Sequence, residues 1–159
     1  MAQDNFERMI KLAEEFFETK NDPLQISVTP EVISRLKKIH PATLTEETDI
    51  DGPIAWMLVI PTTANIMYDF IAKRINEREL LEAIPIPGIY DALYLCSALV
   101  LPEYRCKGLA KRLVAQAVKS ISGQHPIKFL FYWEFSVEGE KLAAAIARKF
   151  SLPLLQRPS

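Results

Sequence analysis

Chemistry is most clearly indicated by one stretch of the chain, the run Arg105-Cys106-Lys107-Gly108-Leu109-Ala110. This run follows an apolar segment that is broken by Pro102, and it opens an amphipathic helix with a basic tip. The unpaired N–H groups of a helix's first turn converge on one point, where the helix dipole adds partial positive charge. A buried strand that leads into such a turn, with a glycine and flexible cations, predicts a site that holds an anion.

The distribution of charge indicates what kind of anion fits. The net charge of −1 argues against a dedicated nucleic-acid binder, which usually carries a basic excess. Between residues 103 and 119, however, the single acid Glu103 is outnumbered by cations, namely Arg105, Lys107, Lys111, Arg112 and Lys119. A local basic cluster in a nearly neutral chain suits a small polyanion such as a nucleotide cofactor.

Composition and cysteine usage bound the setting. The 159 residues, 49% of them hydrophobic, favour a single globular domain over residues 1–159 with a core of its own. We expect Cys96, in the middle of a strand, to behave as a small hydrophobe and to form no disulfide with Cys106. No signal-peptide core or membrane-length apolar segment is present in the sequence, so we expect a cytoplasmic protein with no membrane partner. No Cys/His spacing fits a metal site, and His40 and His125 each precede a proline.

The elements that position the basic turn follow from hydrophobic periodicity. Helical spacing predicts helices over residues 6–17, 30–39, 107–121 and 138–150, and one long helix over 64–84 before the central strand. Strands are predicted at residues 25–28, 43–50, 54–60, 90–101, 127–136 and 152–155, with a turn at Asp51-Gly52. The strand over 90–101 is apolar on both faces, as expected of a central strand. The fold class is therefore α/β, a mixed sheet with helices on both faces.

The basic turn and its lead-in, Val100 to Tyr104, resemble the GNAT superfamily, the acyl-coenzyme-A-dependent N-acetyltransferases. The signature of that family is Gln or Arg, two variable residues, Gly, one variable residue and then Gly or Ala, at a helix start after a central strand. The resemblance covers residues 93–120, and the order of elements extends it weakly to the whole chain. It implies a GNAT-like sheet and an enzyme that transfers an acyl group from acetyl-CoA or another acyl-CoA directly to an amine. The acceptor, a small molecule or a protein amine, is unidentified.

The resemblance also implies roles for particular residues. Backbone amides from Cys106 to Lys111 would hold the pyrophosphate, and Gly108 would leave room for its approach. Backbone groups of Ala98 and Val100 would pair with the pantetheine arm like an added strand, and the Val100 amide would polarise the thioester carbonyl. The cofactor-binding set is Ala98, Leu99, Val100, Arg105, Cys106, Lys107, Gly108, Leu109, Ala110 and Lys111, with Arg112 as a further phosphate contact.

The usual acid of the family is missing. Many members carry a tyrosine acid in an Asn-x-x-Ala-x-x-Leu-Tyr pattern on a late helix. Here Ala143 and Ile146 match the pattern, but Glu140 stands at the Asn and Ala147 at the tyrosine. The alternative function is therefore a non-catalytic acyl-CoA sensor or interaction module on the same fold.

Two residues are candidates for proton transfer. Glu134 follows Tyr132-Trp133, and a carboxylate among aromatic rings would have a raised pKa and could act as a base. The alternative interpretation is that Glu134 is an exposed glutamate at a strand end. Tyr94 stands where some members of the family carry a carboxylate base. The alternative interpretation is that Tyr94 is a core tyrosine whose hydroxyl has a hydrogen-bond partner. Asp91 is a weaker candidate.

The segment over 64–84 makes a longer connection than most relatives have. Its charged part, residues 73–79, reads as a solvated helix face with intrahelical ion pairs. The alternatives are a wall of the acceptor cleft and a contact in a homodimer.

Overall fold

The computed structural model describes residues 4–19, 30–133 and 136–158. The helices in this part are α1 (Asn5–Thr19), α2 (Pro30–Ile39), α3 (Ala64–Ile71), α4 (Glu77–Ala83), α5 (Leu109–Ser122) and α6 (Val137–Phe150). The strands are β1 (Leu44–Asp49), β2 (Gly52–Thr62), β3 (Ala92–Val100), β4 (Phe129–Trp133) and β5 (Leu154–Arg157), and a single 3₁₀ turn spans Pro102–Tyr104. The predicted strand over 25–28 and the candidate Glu134 lie outside the described residues.

The strands form one mixed sheet in the order β1-β2-β3-β4-β5. The pairs β1–β2 and β2–β3 are antiparallel, whereas the pairs β3–β4 and β4–β5 are parallel. One apolar core packs α1, α5 and α6 against the sheet, and a second core packs α2, α3 and α4 against it. Helices therefore cover both faces, and the predicted α/β sandwich around a mixed sheet is confirmed.

The early hairpin confirms the strand predicted over residues 43–50. β1 is polar because it lies at the edge of the sheet and its residues alternate between half-buried and exposed positions. Gly52 begins β2 with a φ of 114°, a left-handed value that side chains rarely adopt. The predicted turn at residues 51–52 therefore has a conformational basis in its glycine.

The long helix predicted over 64–84 is wrong as a single helix. Thr63 caps α3, and its hydroxyl accepts a hydrogen bond from the Ile66 N–H. The chain then leaves helical geometry, with Lys73 at a φ of 63°, and Asn76 starts α4 through a capping box with Glu79. Because α4 starts afresh, its first residue Glu77 faces the core and is 0% exposed. The other charged residues of this stretch, Lys73, Arg74, Arg78 and Glu79, are exposed, and Arg78 pairs with Glu82 within α4, as expected of a solvated face with intrahelical ion pairs.

The start of α5 differs from the prediction by two residues. The apolar spacing predicts that the helix begins at Lys107, but α5 begins at Leu109. Cys106 and Gly108 have φ values of 62° and 76°, so the turn before the helix winds with left-handed residues. This delay enlarges the turn that the sequence singled out.

Candidate binding cleft

A cleft opens where β3 and β4 separate. The two strands pair only over Ala92–Tyr94 and Phe129–Phe131, after which β3 continues to Val100 with no partner strand on this edge among the described residues. The cleft has a volume of about 800 Å³ and is lined by the ends of β3 and β4 and by the starts of α5 and α6. Parallel strands that diverge at their carboxyl ends leave room for a ligand between them.

The exposed edge of β3 carries the backbone groups predicted for the pantetheine arm. The Leu101 N–H donates to the Ile54 carbonyl on β2 at 2.9 Å. Because successive residues of a strand direct their backbone groups to opposite edges, those of Val100 and Ala98 point into the cleft. Leu99 also lines the cleft, but its backbone points toward β2.

β3 carries a β-bulge inside this cleft. Ser97 pairs with Leu58 and Leu95 pairs with Val59, so the strand register passes over Cys96, which is the extra residue of the bulge. A bulge bends its strand and re-aims the side chain of the extra residue. Cys96 is buried, is not in a disulfide, and belongs to the cleft wall.

The basic turn closes one end of the cleft. Gly108 is the N-cap residue of α5, and its Cα carries no side chain that could cap the helix. A Cβ placed there would meet nothing within 4 Å, so the turn faces open space. The first N–H groups of α5 have no partners inside the helix, which makes this opening suitable for an anion.

The turn is held in place by a polar network on its far side. The Tyr104 hydroxyl donates a hydrogen bond to the Asp49 carboxylate, which also accepts one from the Asn5 side chain at 3.1 Å. The Arg8 guanidinium contacts both oxygens of Glu103 at 2.7 Å. The hydrogen bond from Tyr104 is the main reason that the Asp49 pKa lies below its usual value, and the same bond raises the Tyr104 pKa. Helix α1 and the hairpin therefore support the turn.

The predicted phosphate contacts do not all reach the cleft. Arg105 and Lys111 line it, and the Arg105 Nε donates to the Val100 carbonyl at 2.9 Å. Arg112 instead lies 3.6 Å from the Glu47 carboxylate on the hairpin, which draws it away from the proposed phosphate position. The Lys107 ammonium lies 5.9 Å from the centre of the Tyr104 ring.

The two described candidates for proton transfer, Tyr94 and Asp91, do not line the cleft. Tyr94 is 0% exposed and does not belong to the cleft wall. Its hydroxyl donates to Glu77 Oε2 at 2.6 Å, which is the arrangement of the core alternative, and its pKa is raised well above its usual value, chiefly by burial. Asp91 accepts the Ala64 N–H at 2.7 Å, so it helps to cap α3. Glu140 borders the cleft at the start of α6, whereas Ala147 is buried and offers no proton.

Sequence reasoning missed the buried group beside the cleft. Glu77 Oε2 accepts hydrogen bonds from the Tyr94 hydroxyl and, at 3.7 Å, from the Cys96 thiol. The available signal was Asn76, three residues before Glu79, which is the sequence pattern of a capping box. That pattern starts a new helix at Glu77 and would have predicted an end to the long helix.

Within residues 4–19, 30–133 and 136–158, no group of three or more His, Cys, Asp or Glu side chains could hold a metal ion. Each helix in this part of the chain is too short or too polar to cross a membrane. No family model matches the chain, and no curated protein matches it either.

Proposed function

We propose that this protein is a GNAT-type N-acyltransferase that moves an acyl group from acyl-CoA, acetyl-CoA in the simplest case, directly to an amine. One observation supports this more than any other. A turn at the start of α5 that is suited to an anion adjoins the edge of β3 that no described strand covers, and both line a single cleft. A ligand with a pyrophosphate at one end and an amide-containing arm at the other has the chemistry to use both features.

The residues in the cleft fit this donor. The N–H groups of the first turn of α5 and the cations Arg105 and Lys111 suit a pyrophosphate. The backbone of Ala98 and Val100 can pair with the amides of the pantetheine arm in the manner of an added strand. Gly108 leaves the turn unobstructed, since an added Cβ would point into open space.

The chemistry required of the protein is modest. An amine attacks the thioester carbonyl, and the Val100 N–H would stabilise the negative charge that develops on the carbonyl oxygen. The amine must also lose a proton, and a proton must reach the departing thiolate. Glu134 remains a prediction for this proton transfer, whereas the burial of Tyr94 gives it no direct contact with the cleft.

A specific observation favours the alternative function, a sensor that binds acyl-CoA without transferring its acyl group. Ala147 stands where the resemblance implies a tyrosine acid, and it is buried. A protein with a complete donor cleft but no acid would bind the donor and turn it over poorly.

Calorimetry with CoA and acetyl-CoA, followed by a thiol-release assay, tests the proposal. We expect both ligands to bind and acetyl-CoA to release free thiol when a suitable amine or peptide is added. Binding without thiol release across a broad panel of amines would favour the sensor. The absence of any binding at millimolar ligand would overturn both functions.

A further inference from the structure

The carboxylate of Glu77 is an unusual group to find buried beside a cleft. It is 0% exposed, and removing a charge from water is costly unless hydrogen bonds compensate. Two donors, the Tyr94 hydroxyl at 2.6 Å and the Cys96 thiol at 3.7 Å, point at the same oxygen, Oε2. A carboxylate oxygen in hydrogen-bonding contact with a thiol is placed to take up the thiol proton.

Cys96 connects this buried carboxylate with the cleft. It is the extra residue of the β3 bulge, it is 7% exposed, and it forms part of the cleft wall. Ala98, whose backbone faces the cleft, lies only two residues further along the same strand. Of the three grouped side chains, Tyr94 and Glu77 lie behind the wall, and Cys96 is the one that borders the cleft.

Cys96, Glu77 and Tyr94 are arranged like the groups of a site that activates a nucleophile. Such sites place a nucleophile within hydrogen-bonding reach of a base, and a third group orients the base. Cys96 and Tyr94 both donate to the carboxylate of Glu77, so the positions of nucleophile, base and orienting group correspond to Cys96, Glu77 and Tyr94. Thiols are the protein nucleophiles best suited to exchange with a thioester, because the two sulfur leaving groups are chemically alike.

We propose that Cys96 is an S-acylation site that accepts the acyl group of an acyl thioester bound in the cleft when no amine is present. The inference rests on the proposed acyl-CoA binding. In this step the Cys96 sulfur forms a bond to the acyl carbon and the bond from that carbon to the CoA sulfur breaks. The thiol proton passes to Glu77 and then to the departing CoA thiolate. One thioester replaces another, so no further reactant is consumed.

The direct test incubates the full chain with acetyl-CoA and no amine, quenches with acid and measures the intact mass. We expect one acetyl group per chain, located by peptide mapping on Cys96 and removed by neutral hydroxylamine, which cleaves thioesters but leaves amides. Calorimetry on the same sample separates the two proposals. Binding without an adduct, or an adduct confined to Cys106 or to lysines, would overturn this inference alone, whereas no binding would overturn the proposed function with it.

Two matched variants test the part played by Glu77. Glu77→Gln should slow acylation at least about tenfold while leaving acetyl-CoA affinity unchanged, because the amide preserves the side-chain shape but accepts no proton. Glu82→Gln alters an exposed glutamate on the same helix and should acylate at the normal rate. If the two variants acylate equally fast, Glu77 is not the base. Cys96→Ser should lose the hydroxylamine-sensitive adduct. The peptide map of the wild-type chain tests the same assignment without a variant.

Discussion

The hydroxyl of Tyr104 donates a hydrogen bond to the carboxylate of Asp49, and this bond ties the turn before α5 to the end of β1. The two residues are far apart in the chain, and Asp49 also accepts the Asp51 N–H at 2.8 Å. The phosphate-binding geometry that we propose at Gly108 is thus supported by the β1–β2 hairpin. Substitutions that break this hydrogen bond should therefore alter ligand binding in the cleft.

Replacement of Tyr104 by phenylalanine should weaken acetyl-CoA binding several-fold, because the turn loses its anchor while the ring still fills its place. Calorimetry provides the measurement. Tyr68→Phe is a suitable control, since Tyr68 is 45% exposed and is not part of the cleft wall. If the two variants bind acetyl-CoA equally well, the anchor does not matter for the cleft.

The same hydrogen bond should make stability depend on pH in the acidic range. The hydrogen bond from Tyr104 is the largest cause of the lowered Asp49 pKa, and the hydrogen bond from the Asp51 N–H is the next largest. A carboxyl group whose pKa is lower in the folded state stabilises the fold above its ordinary value of 3.8, and this stabilisation is lost as the pH falls through the lower folded value. Urea unfolding at neutral and acidic pH should therefore show a smaller loss on acidification for Asp49→Asn than for the wild type. Parallel pH profiles would contradict this assignment.

Gly108 offers a test that separates charge from backbone strain. Any other residue there must adopt a φ near 76°, which costs about 1–2 kcal/mol whatever the side chain. Gly108→Glu and Gly108→Lys should therefore lose similar amounts of stability in urea unfolding. If a pyrophosphate occupies the turn, the glutamate should weaken acetyl-CoA binding at least about tenfold more than the lysine. Equal affinities in the two variants would refute the proposed phosphate position.

Most elements of the fold could be predicted because their hydrophobic periodicity and their caps are local properties of the sequence. The helix after the basic turn, the central strand and the hairpin follow from apolar spacing and from the turn at Gly52. The break between α3 and α4 was missed because apolar residues continue at helical spacing across it, while the cap at Asn76 determines where the chain restarts. A periodic pattern predicts which residues are buried more reliably than it predicts whether one helix or two carry them.

The candidate site could be predicted only in its local part. The turn at residues 105–110 is contiguous in sequence, so its anion-binding character can be recognised there. The pairing of Glu77 with Tyr94 and Cys96 joins residues 17 and 19 positions apart, and it depends on the bulge in β3 and on the new start of α4. The bulge arises from tertiary packing, which residue spacing does not encode, whereas the start of α4 has a local signal in the capping box of Asn76 and Glu79.

Tyr94→Phe should reduce stability by about 1–3 kcal/mol, since it leaves the buried Glu77 carboxylate with one donor fewer. Tyr90→Phe is a matched comparison, because Tyr90 is also buried but donates to a neutral acceptor, the Pro85 carbonyl, at 2.6 Å. We expect Tyr90→Phe to lose less stability than Tyr94→Phe, about 1 kcal/mol. In a Glu77→Gln background the cost of Tyr94→Phe should fall toward that of Tyr90→Phe. An unchanged cost would show that the tyrosine contributes through packing and not through the carboxylate.

His125 should make the protein less stable as the pH falls through the mildly acidic range. Its ring lies 4.7 Å from that of Tyr90 and 6.0 Å from that of His40, and burial, followed by the charge of His40, lowers its pKa below 6.5. Below 6.5 the unfolded chain therefore takes up a proton that the folded chain resists, so the free energy of unfolding falls until the pH passes the lower folded value. Urea unfolding from about pH 8 to about pH 5 should show this slope, and His125→Gln should flatten it. Because burial is the larger cause, the slope should persist in high salt, which screens the repulsion between the two histidines. A slope that disappears in salt would instead assign the effect to His40.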